Sequence, residues 1–272
     1  MPTFAAKMLK MQARHINRAQ YFEELAATSY KYYLPIIQKY HSVWPKSRVL
    51  EIGCGDGGNL LPFARMGCEV VGINISESRI RDAGRFFFER QQSGTFVCED
   101  ILRLPNLGRP FDVIVCHDVY EHITDKDCLL KTINSYLKPD GIAVVAFPAW
   151  QMPFGGHQQI CRSRIVSRLP FIHLLPTKVY LRLLMLFGES EDCIRELMSI
   201  RRTRTTVEGF EKRLRGSGLE IVHRNLWLVN PHYEKKFGLK PRKLAKFISG
   251  LPYLRNWFST SCEYLLKKEG KI

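Results

Sequence analysis

Three side chains that can bind a metal ion or move a proton lie close together after an apolar run. Asp118, Glu121 and His122 occupy positions i, i+3 and i+4. On a helical turn this spacing places all three on one face. Two carboxylates and an imidazole on one face can bind a divalent ion, which lowers the pKa of a bound hydroxyl and aligns it for attack. We predict His157, which follows the next apolar run, as the fourth ligand.

The same histidines allow an interpretation without a metal. A neutral imidazole at His122 or His157 can accept the proton of a hydroxyl acceptor, and a glutamate and histidine pair can also simply shape a pocket. Gly155 and Gly156 precede His157 and predict a loop that moves over the site. We therefore predict His122 and His157 as catalytic residues. The metal set, Asp118, Glu121, His122 and His157, is the alternative.

A glycine-rich turn follows the first strand-like run of the chain. Its sequence from residue 51 to residue 57 is Glu-Ile-Gly-Cys-Gly-Asp-Gly. Glycines let a strand turn sharply into a helix and let the backbone approach a ligand closely. The later glycine of dinucleotide-binding turns is missing, since residue 60 is Leu. The turn predicts a cofactor site and argues against a nicotinamide cofactor.

This turn is similar to the E-x-G-C-G-x-G motif of class I, Rossmann-like S-adenosylmethionine-dependent methyltransferases. Further matches follow in the same order, and the likeness covers residues 45–148 and, more loosely, the rest of the chain. They are the segments 71–76, 98–101, 111–118 and 137–141. The resemblance implies a methyltransferase that uses S-adenosylmethionine as its cofactor.

The resemblance also implies how the cofactor is held. In the family an acidic residue after the second strand accepts both ribose hydroxyls; here Asn74 stands there, and its amide can accept one hydroxyl and donate to the other, with partial use of Glu77. Asp100 would accept from the adenine amino group, although it can instead cap the next turn. Ile75 would pack on adenine, the Ile101 amide would reach a ring nitrogen, and His117 would border the methionine part. The predicted cofactor-binding residues are Glu51, Gly53, Cys54, Gly55, Asn74, Ile75, Asp100, Ile101 and His117.

The D-x-x-E-H segment with a later histidine is similar to the E-x-x-E-H and histidine sets of two metal-dependent groups. These are the small-RNA 2′-O-methyltransferases and the quinone-pathway O-methyltransferases, from which this chain departs by having Asp118 for the first glutamate. We predict O-methylation of a small-molecule, glycan-linked or lipid-linked acceptor. The alternatives are a metal-dependent RNA 2′-O-methyltransferase and a non-catalytic cofactor-binding partner subunit, which the unusual Asn74 would suit.

Alternating strand and helix patterns position these residues. We predict an α/β fold of the Rossmann-like, doubly wound type: a mainly parallel seven-stranded sheet with an antiparallel closing strand, N-terminal helices and a helical lid insertion. The predicted strands of the core are 48–52, 69–73, 95–98, 111–116 and 142–147, and its predicted helices are 59–66, 76–92 and 126–137. The predicted divisions are an N-terminal helical cap (1–44), the cofactor-binding core (45–148), the lid (149–206) and a C-terminal completion of the sheet (207–272) that contains a basic insertion (230–258).

The formal net charge of +15 points to an anionic partner such as a lipid headgroup, an acidic glycan or nucleic acid. Nucleic acid is less favoured because no binding module or stacking pattern is evident. The segment 169–187 predicts either a buried lid helix or an amphipathic element that contacts a membrane. Eight scattered cysteines without a CxxC pair predict reduced, structural thiols. Neither a secretory signal nor a membrane span is evident, which predicts a cytoplasmic protein, with the inner membrane face as an alternative location.

Overall fold

The apolar runs of the first half of the chain form the parallel part of a sheet. In this computed structural model, which describes residues 17–104 and 106–270, eight strands follow the order β3-β2-β1-β4-β5-β8-β6-β7. Strands β1 to β5 pair in parallel, and β8 inserts antiparallel between β5 and β6. The strands are β1 (Arg48–Ile52), β2 (Glu69–Asn74), β3 (Thr95–Cys98), β4 (Phe111–His117), β5 (Leu137–Phe147), β6 (Leu219–Val229), β7 (Arg242–Lys243) and β8 (Ser261–Lys268).

Helices cover both faces of this sheet. They are α1 (Arg18–Thr28), α2 (Leu34–Tyr40), α3 (Leu61–Arg65), α4 (Glu77–Glu89), α5 (Lys126–Tyr136), α6 (Thr177–Leu186), α7 (Glu191–Thr203), α8 (Val207–Leu214), α9 (His232–Phe237) and α10 (Lys246–Ser249). Side-chain caps begin several of them, as where Asp125 accepts from the Cys128 amide at 2.9 Å. A π-helical turn, Ser29–Tyr33, joins α1 to α2, which has a proline in its first turn, where a missing N–H costs little.

The two central strands are buried on both faces, as Val- and Ile-rich parallel strands require. Ile114 of β4 pairs with Leu50 of β1 on one side and with Ala143 of β5 on the other, and all three side chains are fully buried. Side chains that point to opposite faces pack into two separate apolar clusters. The carboxyl ends of the parallel strands therefore form one rigid edge, where the sheet turns into loops.

The segment between β5 and α8 has its own small core. Three 3₁₀ turns, Gln158–Ile160, Val166–Arg168 and Ile172–Leu174, precede α6 and α7. Val166, Tyr180 and Leu184 are fully buried against one another. The predicted helical insertion is thus helical, but about its first half consists of short turns. In the described ranges, no helix combines the length and apolar character that crossing a membrane requires.

The fold prediction is confirmed, with local differences. The sheet has one strand more than the seven predicted, because the two-residue β7 in the basic insertion pairs with the edge of β6. The predicted turn at 138–141 lies within β5 as a bulge: Phe111 pairs with Leu137, but Val113 already pairs with Ile142. The predicted helix 59–66 is a 3₁₀ turn, Gly58–Leu60, followed by the short α3. Of the predicted N-terminal cap, residues 1–16 lie outside the described residues.

Candidate active site

The glycine-rich turn after β1 adopts backbone angles that other residues avoid. Gly53, Gly55 and Gly57 have φ values of +70°, +53° and +85°. A Cβ atom at Gly53 would also lie 2.2 Å from Cγ2 of Val119, far inside contact distance. Both the left-handed conformation and the close approach of the chain after β4 therefore require glycine at position 53.

A cavity of about 380 Å³ opens at the carboxyl edge of the sheet, directly above this turn. Such an edge is where open α/β sheets bind their ligands. All nine predicted cofactor-binding residues line it: Glu51, Gly53, Cys54, Gly55, Asn74, Ile75, Asp100, Ile101 and His117. The structure thus brings together residues from four separate segments, and their individual roles stay predictions.

Glu51 is the most deeply buried acid of this cavity. Its side chain is almost fully enclosed, and Oε1 accepts a hydrogen bond from Asn59 Nδ2 at 2.7 Å. Burial raises the pKa of Glu51 to about 8, and the bond from Asn59 only partly opposes this shift. The carboxyl group is therefore mostly protonated at neutral pH, until a cation enters the cavity.

The residues predicted to hold the nucleoside part are placed at the tips of β2 and β3. Asn74 Oδ1 already accepts from the Ser76 amide at 2.8 Å, so its amide nitrogen is the group left to donate to a ribose hydroxyl. Ile75 is 78% exposed and offers an uncovered apolar face for a ring. Glu77 pairs with Arg81 on the surface of α4 and does not line the cavity, so partial use of Glu77 for the ribose is not supported.

Asp100 fulfils one of the two roles considered for it, the cap, and the adenine role stays a prediction. Its Oδ1 accepts from the Leu102 amide at 3.0 Å and so caps the turn after β3. The other oxygen lies 3.8 Å from Arg103 Nε, which is beyond hydrogen-bond distance. The cap holds the carboxylate at the rim of the cavity and leaves an oxygen that can accept from a ligand.

His117 ends β4 and is held from two sides. The Tyr33 hydroxyl and His117 Nε2 lie 2.7 Å apart in a buried contact, and Nδ1 lies 3.4 Å from Asp118 Oδ2. Burial raises the pKa of the Tyr33 hydroxyl well above its ordinary value. Tyr33 therefore keeps its proton and fixes the imidazole at the cavity wall, next to the glycine turn.

Glu121, His122 and His157 form a compact cluster beside this cavity. His122 Nε2 and His157 Nε2 each lie 3.8 Å from Glu121 Oε1, and the two rings are 5.0 Å apart. One ligand atom from each residue lies within 4.8 Å of the others. His122 also lines the cofactor cavity, so the cluster adjoins the site where a methyl group would be carried.

Asp118 does not belong to this cluster, contrary to the predicted four-residue metal set. The prediction assumed a helical turn, but Asp118 has φ +54° and the 3₁₀ turn begins only at Tyr120. The i, i+3, i+4 geometry is therefore not realised, and the Asp118 carboxylate lines the cofactor cavity instead.

The electrostatics of the cluster suit a cation. Glu121 is buried, and neither of its oxygens has a hydrogen-bond partner in the described part of the chain. Burial, with Asp118 nearby, raises its pKa well above the ordinary value. Burial lowers the pKa of His122 and brings that of His157 to about 4, so both imidazoles are neutral. Neutral imidazoles and an unsatisfied carboxylate are the donors that a divalent ion requires, and the residues present fit one.

Several residues of the cavity wall escaped the predictions from sequence. Tyr21, Asn59, Arg79 and Glu99 all line it. Tyr21 comes from α1, which is distant in sequence and carries no motif. Arg79 pairs with the buried Asp56 at 3.0 Å, and that aspartate lies inside the glycine turn itself. Glu99 lies beside Asp100 in the segment 98–101, and its acidic side chain is the signal in the sequence that indicates a place in the cavity wall.

Comparison with known proteins places the chain in a family. Residues 17–185 match the family model described as a methyltransferase domain. The ubiquinone biosynthesis O-methyltransferase of Chelativorans sp. (strain BNC1) is 36% identical over 99 residues, which is 36% of this chain and 39% of that protein. The protein of the same name from Bartonella tribocorum is 31% identical over 120 residues, or 42% of this chain and 49% of that protein. The chain thus spans about two-fifths to one-half of the length of these curated relatives.

Solved structures share the fold at low sequence identity. A S-adenosylmethionine-dependent methyltransferase from Clostridium acetobutylicum is 14% identical with a TM-score of 0.57, over 90% of this chain and 92% of that one. PKMT2 from Rickettsia typhi, solved in complex with AdoHcy, is 18% identical with a TM-score of 0.56, over 90% of this chain and 54% of that one. The [4+2]-cyclase SpnF also shares the fold, with a TM-score of 0.53 at 17% identity over 87% of this chain and 80% of that one. The fold alone therefore does not define the reaction.

The family match covers more than half of the chain and includes both the glycine turn and the Glu121 cluster. The chain therefore belongs to the methyltransferase-domain family. This confirms the prediction of a class I S-adenosylmethionine-dependent methyltransferase.

Proposed function

We propose that the protein transfers the methyl group of S-adenosylmethionine to a hydroxyl group of a small-molecule acceptor. The observation that carries this proposal is the cluster of Glu121, His122 and His157 beside the cofactor cavity. An amine acceptor needs little help from the protein, whereas a hydroxyl needs a base or a metal ion to remove its proton. A cluster of this composition would be superfluous for an amine.

The cluster supplies a proton acceptor at the required place. Because burial keeps both imidazoles neutral, His122 and His157 each have a nitrogen lone pair at neutral pH. Glu121, His122 and His157 would also hold a divalent ion, which would lower the pKa of the acceptor hydroxyl. In either case the histidines orient the acceptor oxygen toward the cavity in which the methyl donor is bound.

The names of the relatives support oxygen as the acceptor atom. Both curated relatives described above are O-methyltransferases, and their matched regions are similar to part of this chain. In this proposal the described residues of the segment 45–148 bind the cofactor, residues 17–44 and 149–206 cover the acceptor, and residues 207–270 complete the sheet. These relatives match less than half of this chain, so their substrate is not transferred to it.

Exposed apolar side chains support a lipid-linked acceptor as the finer assignment. Phe171 of the lid packs on Trp257 of the basic insertion, with ring centres 5.8 Å apart. These two segments also expose Ile165, Leu169, Leu186, Phe247 and Tyr253. Lys240, Arg242 and Lys246 lie in the same insertion and suit an anionic membrane surface. Apolar and basic side chains together favour peripheral contact with the surface that would hold such an acceptor.

A methyl-transfer assay tests this proposal. Purified protein receives methyl-labelled S-adenosylmethionine and acceptors matched in pairs: a phenol against the corresponding aniline, each with and without an alkyl tail, and a small RNA. We expect methylation of the phenol, more strongly with the tail, and loss of activity on chelation if a metal ion is bound. Methylation of the aniline alone, or of RNA alone, would contradict the proposal.

A further inference from the structure

A second cavity lies on the other side of the segment 120–124, outside the cofactor site. Its volume is about 380 Å³, and its wall combines the start of α5, the end of α7 and the start of α8. Its cationic lining residues are Lys126, Arg202, Arg204 and Arg213, and none of the described residues that line it is acidic. Hydroxyl groups of serine and threonine complete most of the wall. Concentrated positive charge in a concave site attracts an anion.

Two of the cations have no carboxylate partner among the described residues. Arg202 and Arg204 are exposed, and within the described residues no carboxylate lies within ion-pair distance of either guanidinium. Arg213 pairs with Asp127 at 2.6 Å across the rim. The positive charge of the cavity is thus mostly uncompensated, and two guanidinium forks remain able to bind a bidentate anion.

Buried polar groups at the base of the cavity point to the same ligand chemistry. Lys126 is 6% exposed, and its ammonium donates to the carbonyls of Tyr120 at 2.9 Å and Ile123 at 2.8 Å. The Tyr120 side chain is fully buried and lines the cavity, yet its hydroxyl has no hydrogen-bond partner in the described part of the chain. A buried hydroxyl without a hydrogen-bond partner costs free energy, and an anion that accepts a hydrogen bond from it would recover that free energy.

The backbone amides at the start of α8 contribute little to anion binding in this cavity. Thr206 Oγ1 accepts from the Gly209 amide at 2.9 Å, and the Val207 amide donates to Asn256 Oδ1 at 2.9 Å. The Val207 and Gly209 amides are therefore already bonded. The side-chain cations and the Tyr120 hydroxyl, rather than the helix terminus, define the site.

We propose that this second cavity binds a phosphate group. A phosphomonoester offers three acceptor oxygens and close to two negative charges, which suit two guanidinium groups, a buried ammonium and a hydroxyl donor better than a single carboxylate does. The phosphomonoester can belong to a soluble molecule or to a lipid headgroup such as that of phosphatidic acid. Tyr120 and Thr124 line this cavity, whereas His122 and Ile123 line the cofactor cavity. The bound phosphate therefore lies directly behind the wall that carries the Glu121 cluster.

Titration calorimetry at low ionic strength, without cofactor or acceptor, tests this site independently of methyl transfer. The probes are inorganic phosphate, phenyl phosphate, and vesicles of phosphatidic acid in phosphatidylcholine, and an RNA oligomer is titrated as the competing ligand class. We expect saturable binding of at least one probe, about tenfold weaker or more in the double variant Arg202→Ala/Arg204→Ala. The matched control is Arg182→Ala/Arg195→Ala, which removes the same charge from α6 and α7 outside the cavity and should change affinity by less than about twofold.

The three probes distinguish the source of the phosphate. Binding of phosphate or phenyl phosphate that depends on Arg202 and Arg204 supports a soluble phosphomonoester, and the same dependence seen with vesicles alone supports a lipid headgroup. Lysines at both positions, in Arg202→Lys/Arg204→Lys, should give intermediate affinity because the charge stays but the fork is lost. No saturable binding of any probe, or equal loss in the control variant, would overturn the proposal. Binding of the RNA oligomer without binding of any of the three phosphate probes would overturn it in favour of a nucleic-acid surface.

Discussion

The two cavities on either side of the segment 120–124 share a wall but have opposite charge. The cofactor cavity is lined by Glu51, Glu99, Asp100 and Asp118, with Arg79 as the cation among its described residues. The second cavity carries four cations and no acid among those residues. S-adenosylmethionine has a sulfonium cation, which an acidic wall stabilises, whereas the basic wall would repel it. The difference separates two ligand classes within one small region.

This contrast also explains what the net charge of +15 means. Composition predicted an anionic partner, but it could not say where that partner binds. The structure shows that the excess charge is absent from the cofactor cavity and is concentrated behind it and on the basic insertion. The charge therefore concerns a second ligand or surface rather than the cofactor.

We expect the largest loss of cofactor binding when one methyl group is added to the glycine turn. In Gly53→Ala the new Cβ would meet Val119 at 2.2 Å, and φ +70° would strain any residue with a side chain. We expect affinity for S-adenosylmethionine to fall about 10³-fold, measured by calorimetry. Gly84→Ala on α4, where a Cβ meets nothing within 4 Å, is the control and should bind normally. Normal binding by Gly53→Ala would show that the turn does not approach the cofactor.

A smaller loss should separate cofactor binding from catalysis. His157→Ala removes one member of the cluster but none of the residues lining the cofactor cavity. We expect kcat to fall about 10²-fold while affinity for S-adenosylmethionine stays the same, measured by single-turnover assay and calorimetry. The control is His41→Ala, which removes an imidazole at the end of α2, away from the site. This variant should be as active as the unchanged protein. Unchanged turnover in His157→Ala would show that the loop carrying His157 has only a structural role.

The cofactor side of the molecule was predictable from sequence because local rules dictate it. Gly53 and Gly55 are required by backbone angles within the turn itself, and Asn74 and Asp100 follow strands whose apolar runs are easy to recognise. Parallel strands bring their carboxyl ends to one edge, so residues distant in sequence could be assigned to one cavity. The predicted strands 48–52 and 95–98 have the observed bounds.

The orientation of Asp118 and the second cavity depend on contacts between distant residues, which no local sequence pattern predicts. Asp118 was grouped with Glu121 on an assumed helical turn, but its left-handed backbone turns the carboxylate toward the cofactor cavity. Arg202 and Lys126, 76 positions apart, meet only because α7 packs beside the segment after β4. In the sequence those arginines could equally be a solvated helix face. Tertiary packing, rather than residue type, distinguishes the two interpretations.

A subtler prediction concerns the proton on Glu51. Since its pKa is about 8 in the free protein, Glu51 is protonated at pH 6.5, and a bound sulfonium cation should lower that pKa and release the proton. Affinity for S-adenosylmethionine should therefore rise with pH between about 6.5 and 8, by up to about tenfold per pH unit. Calorimetry in two buffers of different ionisation enthalpy measures the released proton. Glu51→Gln should abolish the release, whereas Glu99→Gln should retain it; release that persists in Glu51→Gln would assign the proton elsewhere.

The smallest expected effect tests whether the two cavities are electrostatically separate. Reversing both free cations, in Arg202→Glu/Arg204→Glu, should abolish phosphate binding yet change affinity for S-adenosylmethionine by less than about twofold at physiological salt. The reason is that exposed charges are screened, and neither arginine is among the charges that shift the pKa of Glu51, whose shift comes from burial and from Asn59. Calorimetric titrations of both ligands on the same preparation measure the two affinities. A cofactor affinity that rises several-fold would mean that the shared wall transmits the charge, and the two sites would then have to be treated as one.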